Sequence, residues 1–254
     1  MIRVTMYNEF YHEQHKENVK AIYPNGMHAA IKEYLDAEGS FAPMQVGTLE
    51  MPEHGLTQEV LDNTDVLLWW GHVKHEAVSD EVVERVVQRI KDGMGFIALH
   101  SAHASKVFRK LMGTDSHLLR WRESADLARM WVVDYAHPIV NGIGDYFELE
   151  AEETYGEHFD IPQPDDLIFI TWFSGGEVFR SGCTYHRGQG RIFYFQPGHE
   201  TFPTYYNENV RKVIANSIKW AYNPGARPIG TGHFKVKPNV ESEFAAQLQE
   251  NFTK

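Results

Sequence analysis

Short apolar runs and helical stripes alternate along the first hundred residues. Ile2 to Tyr7, Met44 to Thr48, Val66 to Trp70 and Phe96 to Leu99 read as strands, and Val66 to Trp70 is apolar throughout. Runs of this length, bounded by turn residues, are what strands buried on both faces require. Between them, Met27, Ile31, Tyr34 and Leu35 share one face of a helix predicted over Gly26 to Glu38, and a short helix is predicted over Thr57 to Asn63. Val82, Val83, Val86, Val87 and Ile90 repeat at helical spacing, with Ser79 as N-cap, Asp80 and Glu81 in the first turn and Gly93 as the stop. The stretch from Thr64 to Lys110 therefore reads as strand, helix, strand, sharp turn, helix, one parallel unit with a right-handed crossover. The pattern predicts a doubly wound domain with Met1–Tyr7, Val66–Trp70 and Phe96–Leu99 as its central parallel strands.

Past Gly113 the rhythm changes. Asp115 to Gly144 is mixed and rich in Trp and Arg, with a strand expected only at Met130 to Tyr135. Phe147–Thr154, Leu167–Trp172, Val178–Tyr185 and Ile192–Phe195 then read as strands, with Ser174-Gly175-Gly176 and Arg187-Gly188-Gln189-Gly190 as hairpin turns. This half is expected to extend the sheet in antiparallel fashion. A helix over Asn207 to Tyr222 closes residues 1–222, and residues 223–254 read as a strap of the same domain with a short amphipathic helix carrying Val240, Phe244, Leu248 and Phe252. That strap packs on its own domain or makes a homo-oligomer contact.

Charge and composition narrow the class. A net charge of −11 over 254 residues argues against a nucleic-acid or anionic-membrane partner. The one cysteine, Cys183, cannot form an internal disulfide and suits a reducing compartment. No apolar run approaches a membrane span and the N-terminus lacks a signal-peptide pattern, so a soluble cytoplasmic protein is expected.

Histidine is the residue that carries candidate chemistry. Of fourteen, three pairs are spaced H-x-x-H: His12/His15, His72/His75 and His100/His103. Each pair follows a predicted parallel strand, so all three loops lie at the carboxyl edge of the sheet, where open α/β sheets bind ligands. His199 and Glu200 end a later strand and are candidates for the same edge, as is Glu153. His100 has a local argument of its own. A strand-to-helix elbow needs small residues two positions to either side, and Ala98 and Ala102 flank His100 in that way. The tip thus presents histidine in place of a cysteine or serine nucleophile, with Ser101 as a polar contact for substrate. Imidazoles and carboxylates in such a crevice support acid–base chemistry or hold a divalent metal, zinc first, with His72, His100, His103 and His199 as candidate ligands. A shared polar crevice without metal is the alternative. Trp69, Trp70, Tyr155, Trp172 and Tyr205 near these loops offer aromatic faces to a sugar.

The order of TDVLLWWGH, GFIALHSAH and IFYFQPGHE resembles the class I glutamine amidotransferase-like fold. The match is closest to the ThuA-like family, named for trehalose utilisation, through L-H-S-A-H, Glu152-Glu153-Thr154-Tyr155, and P-G-H-E followed by N-S-I-K-W-A. The resemblance spans roughly residues 1 to 222 and implies a flavodoxin-like sheet. It puts Gly71 and His72 at the oxyanion-loop position, His100 at the nucleophile position, and His199 and Glu200 at the His–Glu position. Without the elbow cysteine, glutaminase activity is not implied. A sugar substrate is, as a disaccharide or an oxidised keto derivative. The expected function is a carbohydrate-directed enzyme in which His100, His199, Glu200 and Glu153 perform catalysis while Gly71, His72, Ser101, Tyr155 and Trp70 bind substrate. A non-catalytic sugar-binding module is the competing expectation.

Overall fold

Val66–Trp70 (β3) and Gly95–Leu99 (β4) lie buried along their whole length in the computed structural model, which describes residues 1–117 and 119–228. Val4–Asn8 (β1) is buried likewise, and with Gln45–Thr48 (β2) these strands pair in parallel. Gly190–Phe195 (β9) continues the parallel set beside β4. The antiparallel extension follows: Val178–Arg187 (β8), Asp166–Phe173 (β7), Arg120–Val132 (β5) and Tyr146–Gly156 (β6) at the edge. The result is one nine-stranded sheet in the order β2-β1-β3-β4-β9-β8-β7-β5-β6. Its parallel half has the flavodoxin-like order, with β9 in the fifth place.

The helices are His12–His15 (α1), Glu17–Ile22 (α2), Met27–Glu38 (α3), Gln58–Asp62 (α4), Asp80–Lys91 (α5), Lys106–Met112 (α6) and Glu208–Ala221 (α7). In α5 the Ser79 hydroxyl accepts from the Val82 amide, and Val82, Val83, Val86, Val87 and Ile90 are all buried. Covering those five side chains supplies on the order of 10 kcal/mol before ordering entropy is subtracted. α5 packs with α4 and α6, while α7 packs with α3. No helix among the described residues is long and apolar enough to cross a membrane.

Two expectations need correction. The segment carrying His12 and His15 is helical rather than a plain loop. The strand expected at Met130 to Tyr135 is the end of β5, which starts ten residues earlier at Arg120. The first half of β5 is largely exposed, so it shows no apolar alternation; its order comes from pairing with β6, where Trp121 faces Tyr155 and Arg122 faces Thr154. The short helix expected around Val240 to Phe252 lies outside the described residues.

Candidate functional site

Four parallel strands end in loops that each deliver one histidine to a common point. His12 follows β1, His72 follows β3, His100 follows β4 and His199 follows β9. Their rings meet edge to face. Centroids are 5.1 Å apart for His12–His72, 5.3 Å for His72–His199, 5.4 Å for His100–His199 and 6.0 Å for His72–His100. β6 brings Glu153 from the antiparallel half, and the loop after β9 brings Glu200.

Backbone geometry explains how each arrives. His100 sits at φ 53°, in the left-handed region, at the sharp turn that Ala98 and Ala102 leave room for. Its Nδ1 lies 2.8 Å from the Gln196 carbonyl. A carbonyl only accepts, so Nδ1 carries the proton and Nε2 is turned to Glu153 Oε2 at 3.0 Å. His199 is held by the loop Gln196–Glu200. Gly198 takes φ 134°, and a β-carbon there would sit 2.1 Å from the Tyr205 hydroxyl. The Trp70 indole donates to the Gly198 carbonyl at 3.0 Å, and buried Glu152 accepts from the Gly198 and His199 amides and the Thr204 hydroxyl. His199 Nδ1 is 2.7 Å from the Thr201 hydroxyl, leaving Nε2 free toward the cluster.

Glu200 is fully buried between rings: its Oε1 is 2.6 Å from His12 Nδ1 and its Oε2 is 3.0 Å from His72 Nδ1. These contacts are close, yet the ring N–H directions miss the oxygens. His12 Nδ1, His72 Nδ1, His100 Nε2, His199 Nε2, Glu153 Oε2 and Glu200 Oε2 are all buried without a hydrogen bond. Buried polar atoms rarely stay unpaired, and a group of them sharing one point is the pattern of metal donors. Two overlapping sets have donor atoms within 4.8 Å of one another: His12, His72 and Glu200, and His72, Glu153 and His199.

The charges are set by neighbours as much as by burial. Burial pulls the His100 imidazole down, but the carboxylate of Glu153 outweighs it and holds the pKa at about 9. Burial raises Glu153, and His100 brings it below the usual carboxylate range. Glu200 is likewise pushed up by burial and drawn far down by His12 and His72. His199 is lowered to about 4, by burial first and then by His100. A cavity of about 310 Å³ opens onto this cluster, within the range of small-molecule sites. His12, His72 and Glu153 line it together with the aromatic rings of Tyr155 and Trp121.

The profile of the ThuA family, described as trehalose utilisation, matches residues 3–221. The chain belongs to that family. Among solved structures it is similar to a putative ThuA-like protein from Parabacteroides merdae, at 14% identity and TM-score 0.64 over 91% of this chain and 92% of that one. A putative ThuA-like protein from Bacteroides uniformis gives 14% identity and TM-score 0.63 over 89% and 94%. A cytoplasmic protein from Salmonella typhimurium gives 10% and 0.56 over 78% and 88%. Comparison with curated proteins finds no match.

In this ThuA family member, the expected residues fall into four groups. His72, His100, His199, Glu153 and Glu200 converge, and Tyr155 stacks on His100 with centroids 5.4 Å apart. Ser101 and His103 line the cavity, but each is also tied to backbone. The Ser101 hydroxyl donates to the Gly71 carbonyl at 2.7 Å, and His103 Nδ1 to the Ser116 carbonyl at 2.8 Å. Of the four expected ligands, His72 and His199 belong to the donor sets, while His100 and His103 lie outside both. Trp70 is buried with its indole spent on Gly198, so it braces the site and presents no face to a substrate. Trp69 and Tyr205 are buried too. His15 is exposed, stacked on Tyr11 and bonded to the Tyr11 carbonyl, apart from the cluster.

Glu9 and Trp121 carry no motif in the sequence, and Glu152 stands in the family segment without an expected role. Glu9 directly follows a buried strand on the histidine edge, a position that could have flagged it. Glu152 was hidden by the alternation of FELEAEETYG: Glu148 and Glu150 are exposed as that pattern predicts, but Glu152 and Glu153 are both buried.

Proposed function

We propose that this chain is a carbohydrate-directed enzyme whose centre holds one divalent metal, zinc by preference, on His72, His199 and Glu153. The observation that carries this reading is the set of buried ring nitrogens and carboxylate oxygens that face one another without hydrogen bonds. Two histidines and a glutamate are a donor set used by catalytic zinc, which leaves a position for water or substrate. When bound, the ion would polarise a substrate oxygen.

The chain's own residues do the rest. His100, locked by the Gln196 carbonyl, holds Glu153 in place and ionised. His12 lines the cavity with Glu200 against its ring, a carboxylate–imidazole pair suited to moving a proton to or from the substrate. Tyr155 and the exposed Trp121 offer aromatic faces to sugar C–H bonds, and Lys16, Ser101 and Glu123 offer polar contacts to hydroxyls. The family description, trehalose utilisation, favours a disaccharide or its keto derivative.

The test is untagged protein stripped with chelator and titrated with zinc, followed by a panel of disaccharides and their keto derivatives assayed for turnover. About one zinc per chain, lost in His72→Ala and His199→Ala, is expected, with turnover dependent on the ion. Stoichiometry near zero in the wild type, or full zinc in both variants, would count against this centre.

A further inference from the structure

The loop that follows β3 points three consecutive backbone amides at one place. The His72, Val73 and Lys74 N–H groups donate to the carboxylate of Glu9 at 2.8, 3.1 and 2.9 Å. Successive amides arranged this way form an anion-binding concavity, and hydrogen bonds to a charged acceptor are the strong kind. Glu9 is 2% exposed, and the three amides are the donors that compensate its burial. Its own amide donates to the Trp70 carbonyl at 3.0 Å, so the residue joins the end of β1 to the end of β3 by both main chain and side chain. Those two ends carry His12 and His72, the rings that flank Glu200.

We infer that Glu9 is a positioning residue: its carboxylate permanently fills the amide concavity of residues 72–74 and thereby sets His72 for the proposed centre. One consequence is chemical. These amides are already satisfied by the protein, so they are not open to stabilise an oxyanion on a substrate, and the reaction at this site is not acyl transfer through this loop. A second is that the concavity, once emptied, is a site for small carboxylates. The link to zinc rests on the metal reading above; the filling of the concavity does not.

The experiment removes the side chain and returns its functional group from solution. Glu9→Ala is expected to lose thermal stability and to bind zinc roughly tenfold or more weakly than the wild type. Sodium formate should restore both in a saturable way, while sodium chloride at equal ionic strength should not. Glu9→Gln keeps the volume but loses the charge. In this variant the His72, Val73 and Lys74 amides should exchange with deuterium faster than in the wild type. Formate that acts no better than chloride on Glu9→Ala, or unchanged exchange of the three amides in Glu9→Gln, overturns the inference. Zinc affinity equal to wild type in a formate-free, folded Glu9→Ala overturns the positioning role. If Glu9→Ala does not fold, the exchange measurement on Glu9→Gln decides. A wild type that binds no zinc overturns the metal reading and the link to it, while formate-specific recovery of stability still judges the concavity.

Discussion

His103 shows how a single side chain couples this protein to pH. It is buried, gives its Nδ1 proton to the Ser116 carbonyl, and stacks beside His117. Burial and then the neighbouring His117 push its pKa well below the ordinary value. The unfolded chain takes up that proton near pH 6.5 and the folded chain does not, so this stability is whole above pH 6.5 and is lost as pH falls below it. The loss is about 1.4 kcal/mol per pH unit until the folded-state pKa is reached. The thermal midpoint should therefore drop between pH 6.5 and pH 5, and His103→Gln should flatten the slope; an unchanged slope in the variant refutes the assignment. Cys183 makes the opposite case of an inert group. Burial raises its thiol to about 12. At pH 8 about one molecule in ten thousand is thiolate, so folded protein should resist iodoacetamide and release no ammonia from glutamine. At this scale the sequence was informative where a residue borders a buried strand, as with His100 and His199. It was silent on Glu9, whose partners are backbone amides that any sequence would supply.

The loop Gln196–Glu200 is the element on which the site depends most. Its path is fixed by Gly198, by the Trp70 indole and by Glu152. Trp70→Phe keeps most of the packing but leaves the Gly198 carbonyl unpaired, at a cost of about 1–3 kcal/mol. Gly198→Ala meets both the backbone at φ 134° and the Tyr205 hydroxyl, and should cost about 2–4 kcal/mol. Urea unfolding measures both, and the zinc content of each variant reports whether His199 is still placed. Elements with buried, periodic faces were legible: β1, β3, β4 and α5 fall where the apolar pattern puts them. β5 was only partly so, because its first half is ordered by hydrogen bonds to β6 and carries no buried face to read.

Over the whole molecule, binding at the cluster should appear as stability. An ion that binds only the folded state at a hundred times its Kd adds about 2.7 kcal/mol. Zinc should thus raise the thermal midpoint of stripped wild-type protein, chelator should reverse the rise, and His72→Ala should remove it. The doubly wound order told where to look, since loops after β1 and β3 flank the switch point of the sheet. That order alone does not single out Glu153 as the acid that crosses from the antiparallel half; its place in the segment Glu152-Glu153-Thr154-Tyr155 does.

That crossing gives the cluster a use beyond chemistry. His12, His72 and His100 precede the exposed turn at Gly113, while Glu153, His199 and Glu200 follow it. Cut at that turn, the chain would become two fragments, each carrying part of the donor set. Zinc uptake on mixing would then read out their reunion, with β9 closing against β4 as the seam.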